Sequence, residues 1–285
     1  MHRNLLKKLE NERASYSKGQ RAIADYFLEN YDKAAYITAA AIGKEVGVSE
    51  STVVRFATEL GFKGYPELQK ALREIVRVNF NSLQRMQLTN TIIGDGDPIS
   101  KVFSSDIDKI QKTLDEIDRE AFERAVNKLL FANNIYIIGA RSSSFLAGFL
   151  EYNLRMLLNN VRLVQIGTGG EVFEQLIPVN ENDVVFAISF PRYSSRVVNG
   201  VRYAKDKGAQ IIALTDGVGS PIAQNATELL IAKSDMISFM DSLSAPLSII
   251  NAILVEIVRK KQGECEARFA QLEEIWDKYD VYDKN

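Results

Sequence analysis

Five short apolar runs, at 135–138, 161–166, 184–188, 211–214 and 229–231, constrain the fold of this chain more than any other feature. Each has the length of a strand, and helical segments near 143–158, 195–207 and 219–225 separate most of them. Helices near 243–261 and 264–279 follow, and two more, near 100–115 and 119–131, come before, with Asp118 placed to cap the second. Short buried strands alternating with helices predict an α/β domain, a doubly wound parallel sheet covered on both faces.

Residues 1–77 instead read as helical throughout and predict a separate all-α domain. Ser17 opens a helix whose Ile23, Ala24, Phe27 and Leu28 recur at helical spacing. Helices over about 38–45 and 49–60 follow, and a fourth begins near Pro66, a residue suited to a first turn, with Leu68, Ala71, Leu72 and Ile75 on its apolar side. The stretch AAAIGKEVGVSESTVVRFAT at 39–58 has the pattern of a helix-turn-helix. Two helices crossing through a tight turn need a small residue at their contact, a glycine in the turn and apolar facing sides. Gly43 and Gly47 meet the first two needs, Ile42, Val46, Val48, Val53 and Phe56 the third, and Ser49 is placed to cap the second helix.

That second helix is expected to show Glu50, Ser51, Thr52 and Arg55 outward. Short donors at a helix N-terminus favour phosphate, and Arg55, one turn on, is in reach of a base edge or a phosphate. Lys63 and Tyr65 are candidates for the flanking DNA backbone, while Glu50 either meets a cytosine amino group or faces solvent. Ser49, Ser51, Thr52, Arg55, Lys63 and Tyr65 are thus the candidate DNA-contacting residues; the plain alternative is a helical hairpin with Arg55 a solvated charge. Residues 78–105, with the turn-rich GDGDP at 94–98, read as an interdomain linker with some helical content, which leaves 106–285 for the α/β domain.

Charge is distributed unevenly. The whole chain holds 35 Lys/Arg against 37 Asp/Glu, which does not mark a nucleic-acid binder. Residues 1–77 alone hold 13 against 10, and the remainder 22 against 27. The sign suits a DNA-binding head on an acidic body, and the small surplus points to a dimer that presents two recognition helices. One cysteine, Cys265, excludes an intramolecular disulfide and a cysteine-built zinc site. The start MHRNLLKKLENER is too polar for a secretory signal, and no apolar run approaches the roughly 20 residues that span a bilayer. A cytoplasmic protein with no membrane partner, no cofactor and no metal is expected.

In open parallel sheets, ligands bind beyond the carboxyl ends of the strands, where loops lead into helices. The first such loop is GARSSS at 139–144: Gly139 lets backbones approach, and Ser142, Ser143 and Ser144 bring hydroxyls and amides to a helix start, a cradle for phosphate. The further glycines of a dinucleotide fingerprint are missing. After the third strand, Ser189 and Ser194 can donate to phosphate oxygens, and Arg192 either grips the dianion or serves a subunit interface or the surface. Thr168, Gly169, Gly170 and Glu171 follow the second strand; Glu171 either binds a ligand hydroxyl or amide, or caps the next helix. Thr215 and Asp216 fit a turn, and Ser242 and Ser244 are caps or close a pocket from a neighbouring subunit. Tyr136, Phe145, Phe149 and Tyr152 belong to the core or to an interface.

The run VSESTVVRFATELGFKGYPEL at 48–68 resembles the helix-turn-helix of the RpiR/MurR family of sugar-phosphate regulators. GARSSS at 139–144, AISFPRYS at 187–194 and LTDGVGSPIA at 214–223 resemble that family's sugar isomerase (SIS) domain. The resemblance covers nearly the whole chain except the linker and the C-terminal tail. It implies a flavodoxin-like SIS sensor domain, a homodimer or homotetramer, a double-stranded DNA operator, and control of carbohydrate-metabolism genes by a phosphorylated sugar. It also implies that Ser142, Ser143, Ser189 and Ser194 hold the phosphate. Enzymes with this domain carry a glycine-containing SxSGxT after the third strand, and Pro191-Arg192-Tyr193 departs from it.

The competing reading is a SIS-type sugar-phosphate isomerase or lyase with a helical accessory domain. Such chemistry needs a base for a carbon-bound proton, and the chain's one histidine, His2, lies outside the domain concerned. Glu171 alone keeps that reading open, and a sensor without catalysis is favoured. A third reading is an adaptor that docks through its N-terminal helices.

Overall fold

A computed structural model describes residues 5–94, 96–167, 170–236 and 239–283. His2, Thr168 and Gly169 lie outside the described residues. The chain divides into two compact units: residues up to Val102 with the segment Asp235–Asp241, and Phe103–Ser234 with the residues from Ser242 onward. Among the described residues no helix is long and apolar enough to cross a membrane.

The N-terminal unit is all helical: α1 Leu5–Glu12, α2 Lys18–Ala34, α3 Ala39–Val46, α4 Glu50–Glu59, α5 Tyr65–Asn79 and α6 Ser82–Ile93. Helix starts fall where the side chains can satisfy free backbone N–H groups. Ser17 accepts from the Gln20 N–H while the Gln20 side chain accepts from the Ser17 N–H, a reciprocal pair. Thr38 accepts from the Ala41 N–H at 3.2 Å and so begins α3. Leu9, Ile23, Phe27, Ile42, Val53, Leu68 and Leu72 close the core with no appreciable exposure. Residues 78–105 consist of the end of α5, α6 and the start of α7, Pro98–Glu116, joined by short turns. The segment Asp235–Asp241 completes this unit: Met236 enters its core, and Asp241 meets Arg85 of α6 at 3.3 Å, the two side chains 8% and 2% exposed.

The C-terminal unit is built on five strands, β1 Ile135–Gly139, β2 Val161–Val164, β3 Val184–Ile188, β4 Gln210–Thr215 and β5 Glu228–Ile231. All neighbours are parallel and the order is β2-β1-β3-β4-β5, the flavodoxin-like doubly wound arrangement expected from the sequence. Successive residues of a strand point to opposite faces. Ile135, Ile137, Phe186 and Ile188 thus pack with α8 Arg119–Phe131, α9 Ser143–Leu157 and α12 Ser244–Lys260. Tyr136, Ile138, Val185 and Ala187 pack on the other side with α10 Glu171–Leu176 and α11 Ser195–Asp206. Asp118 caps α8 through the Glu120 and Ala121 N–H groups, and α13 Gln262–Lys278 ends the described helices.

Two expectations shift here. The segment at 219–225 forms only a short 3-10 turn, Ala223–Asn225, because Gly217, Gly219 and Pro221 crowd it with turn formers. The helix that Glu171 was placed to cap instead begins at Glu171 itself, with Gly170 at the cap position, and runs only six residues.

The first turn of α9 crosses β1 with no room for a side chain. A Cβ on Gly139 would lie 2.6 Å from the Ser143 carbonyl oxygen and 3.1 Å from the Ala147 Cβ. Gly139→Ala is therefore expected to destabilise the C-terminal unit by about 1–3 kcal/mol. Urea unfolding followed by probes in each unit checks this, with the N-terminal transition unmoved.

Candidate nucleic-acid interface and anion cleft

Two glycines bring α3 and α4 together. A Cβ on Gly43 would lie 2.7 Å from the Val48 carbonyl oxygen, and the Val48 N–H donates back to the Gly43 carbonyl at 2.9 Å. Gly47 ends α3 in the left-handed conformation with φ 74°, where glycine carries no Cβ penalty. Ile42, Val53 and Phe56 are buried beneath the crossing, with Val46 and Val48 half-buried at its edge. Ser49 caps α4 by accepting from the Thr52 N–H, and its hydroxyl lies 2.8 Å from those of both Ser51 and Thr52. Three expected DNA-contacting donors are therefore one cluster at the start of α4.

Glu50, Ser51, Val54 and Arg55 form the exposed stripe of α4. Val54, 38% exposed, was missed by looking for polar donors alone. An aliphatic side chain on such a face has the chemistry to meet a thymine methyl. Lys63 is exposed beyond α4, and its backbone N–H donates to Glu67 at 2.6 Å. Tyr65 corrects the sequence expectation. Its ring is buried, and its hydroxyl donates to the carbonyls of Ala34 at 3.1 Å and Ile37 at 2.8 Å, so it ties α5 to the end of α2 instead of reaching outward. Burial pushes that phenol up to about 12, so it remains a donor across the physiological range.

In the C-terminal unit a cleft of about 640 Å³ opens beyond the carboxyl ends of β1, β2 and β3. This is the point where the chain turns from one side of the sheet to the other, with α9 and α11 on opposite faces. Gly139, Arg192 and Ser194, all expected from the sequence, line it. Arg141, Ser144, Ser195 and Arg196 line it too. Arg141 and Arg196 were missed because one sits inside a serine-rich loop and the other lies on the first turn of α11; only the fold brings them together.

The remaining expected residues stand back from the cleft. Ser143 and Ser189 are buried, Ser143 pressed against Gly139 and Ser189 continuing β3 with its N–H donating to the Leu214 carbonyl at 3.2 Å. Ser142 is exposed at the start of α9 but is not in the lining. Glu171 is exposed outside it, its carboxylate lying across Gly167, and Gly170 begins α10 beside it. Ser242 and Ser244 donate to Asp106 at 2.7 Å each, which fixes them within the same unit. The hydroxyls pull the Asp106 carboxyl down against the opposing effect of its burial.

Counting from Ser189, Arg192 takes the place of the glycine in SxSGxT, and its backbone keeps the left-handed conformation, φ 64°. Arg141, in the loop after β1, is left-handed as well, φ 56°. Both helix starts that border the cleft lack a side-chain cap: Ser142 and Ser194 accept no hydrogen bond from α9 or α11. Among the described lining residues three carry guanidinium groups, and none is a carboxylate or a histidine able to take a carbon-bound proton.

Comparison with known proteins fits both halves. Residues 3–77 match the family model of the helix-turn-helix domain, rpiR family, and residues 128–256 match the SIS domain. The HTH-type transcriptional regulator HexR of Pseudomonas aeruginosa is 26% identical over 79% of this chain and 77% of its own length. An uncharacterised HTH-type transcriptional regulator of Clostridium perfringens is 23% identical over 91% of this chain and 94% of its own. The sugar isomerase domain of an RpiR transcription factor from Sphaerobacter thermophilus superposes with a TM-score of 0.60 at 25% identity, over 62% of this chain and 98% of that one. Vibrio vulnificus NanR, solved in complex with ManNAc-6P, matches over 99% and 100% of the two chains, with a TM-score of 0.61 and 23% identity. Three of these four are named as transcriptional regulators or a transcription factor, which favours the regulator over the enzyme reading.

Tyr65→Phe is expected to lower stability by about 1–2 kcal/mol, because the buried Ala34 carbonyl loses this donor and the Ile37 carbonyl keeps only that of Gln69, while the DNA affinity of the folded protein is kept. Chemical denaturation alongside DNA retardation checks the pair. Arg141→Gly removes a left-handed strain of about 1–2 kcal/mol, offset by the flexibility that glycine adds to the unfolded chain, so the thermal midpoint should hold or rise.

Proposed function

Because the chain belongs to the rpiR family of helix-turn-helix transcriptional regulators with a SIS domain, we propose that α4 reads an operator in duplex DNA and that the cleft binds a phosphorylated sugar which alters operator affinity. The observation that carries this reading is a cleft rich in guanidinium and hydroxyl groups, borne by the same chain as a DNA-reading helix pair. Phosphate is held well by planar guanidinium forks and by free helix N-termini, and the loop after β3 supplies Arg192, Ser194 and the uncapped start of α11. The similarity to NanR, solved with ManNAc-6P, supports the same ligand class here. Ser143 and Ser189 support the cleft from behind its wall, Ser142 and Glu171 serve the ligand from exposed positions beside it, and Ser49, Ser51, Thr52, Arg55 and Lys63 contact DNA.

The protein works in the cytoplasm as a homodimer or homotetramer. Exposed apolar side chains support self-association: Phe145 and Tyr152 on α9 and Phe103 and Ile107 on α7 are each more than half exposed. Two recognition helices compensate for the modest basic surplus of residues 1–77. A sugar phosphate that binds one arrangement of the dimer better than another shifts operator affinity, with residues 78–105 carrying the change.

Selection from a random duplex library tests the DNA half: the wild type enriches a two-fold symmetric sequence, and Arg55→Ala binds it at least tenfold more weakly with unchanged thermal stability. Hexose, amino-sugar and pentose phosphates are then screened by thermal shift, since a ligand raises stability by mass action. Identical operator affinity with and without every one of them overturns the regulatory half.

A further inference from the structure

We propose that Val54 is a base-reading residue: its side chain packs on the 5-methyl group of a thymine in the major groove and so specifies one A·T pair in each operator half-site. This rests on the reading of α4 as the helix that enters duplex DNA, and it names what that helix recognises there. Val54 is 38% exposed, whereas its neighbour Val53 is fully buried beneath the crossing of α3 and α4. A β-branched side chain is a weaker helix former than alanine, so helix formation does not call for a valine that points outward.

The rest of α4 narrows what can tell one base pair from another. In the major groove an A·T pair is recognised in one of two ways. Either an Asn or Gln amide pairs with the adenine edge, or an apolar group meets the thymine methyl. The sequence of α4, ESTVVRFATE, holds neither amide. At its start the Ser49 hydroxyl lies 2.8 Å from those of Ser51 and Thr52. A hydroxyl both donates and accepts, so such a cluster suits a phosphate and does not choose between bases. Arg55 offers donors only, which fit guanine or a phosphate. Glu50 lies one turn before Val54 on the same exposed side of α4. Its carboxylate repels phosphate, so the side that carries both residues is turned to base edges and not to the DNA backbone. Thr58, one turn beyond Val54, has a methyl as well, and its hydroxyl donates to the Val54 carbonyl at 3.2 Å. It stands in the last turn of α4, however, and recognition helices of this motif meet base edges through their N-terminal residues.

The duplex that the full chain selects from a random library tests this when each of its thymines is replaced in turn by uracil, which keeps the base pair and lacks only the methyl. Affinities are measured by fluorescence anisotropy at fixed ionic strength. One thymine in each half-site is expected to respond, with binding weakened roughly fourfold for one replacement and roughly fifteenfold for both. In Val54→Ala that response disappears while the thermal midpoint holds or rises; Val54→Ile and Thr58→Ser keep it. A selected half-site without thymine, or one in which no uracil weakens binding, overturns the inference and leaves the DNA-binding reading standing. A response that persists undiminished in Val54→Ala, or that is lost in Thr58→Ser, overturns the assignment to Val54. Failure to enrich any sequence overturns the inference together with the reading on which it rests.

Discussion

At Gly139 the backbone of β1 and the first turn of α9 come within contact distance, and the placement of the cleft follows from that approach. β1 is flanked by β2 on one side and β3 on the other, so the loops after β1 and β3 leave the sheet at the point where the winding reverses. α9 goes to one face and α11 to the other. Between two helices that diverge in this way a crevice is unavoidable, and its walls are the residues just past the strand ends. A side chain at Gly139 would push α9 outward and move Arg141 and Ser144 with it. Binding chemistry in this fold is therefore a property of loop residues, held to position by backbone packing beneath them.

Much of this was legible from the sequence because it depends on local patterns. Buried strands are short apolar runs, and the parallel sheet follows from their alternation with helices. Gly43 and Gly47 announced the helix crossing, and Ser49 and Asp118 announced helix starts, since each satisfies a backbone group within three residues of itself. Tyr65 was misplaced because a phenol is equally at home in a wet loop and at a buried polar tip. The spacing held the answer: Tyr65, Leu68 and Leu72 lie three and four residues apart on the face of α5 that closes the core. The other two guanidinium groups of the cleft were out of reach for another reason. Arg141 and Arg196 are more than fifty residues apart, and no short-range periodicity brings them to the same wall.

Serine plays two opposite parts in this chain. Ser17 and Ser49 turn toward their own helices, where their side chains accept from the Gln20 and Thr52 N–H groups. Ser142 and Ser194 occupy the same position on α9 and α11 and do not cap. Sequence alone cannot separate these cases, because the residue and its place before a helix are identical. The difference lies in the backbone leading in: Arg141 and Arg192 precede the uncapped helices in left-handed geometry, which carries an energetic cost that the α3 and α4 entries avoid.

The N-terminal unit is not a contiguous stretch of gene. The matched helix-turn-helix ends at residue 77, yet the compact unit runs on to Val102 and takes in seven residues encoded between β5 and α12. Those residues bring Asp241 to the buried Arg85, and a buried charge that loses its partner costs about 3–5 kcal/mol. A recombination event that exchanged only the first hundred codons would therefore separate Arg85 from Asp241. Reading heads of this kind are free to diversify by point substitution along α4, whereas their shuffling as whole cassettes is held back by a short loop encoded far downstream.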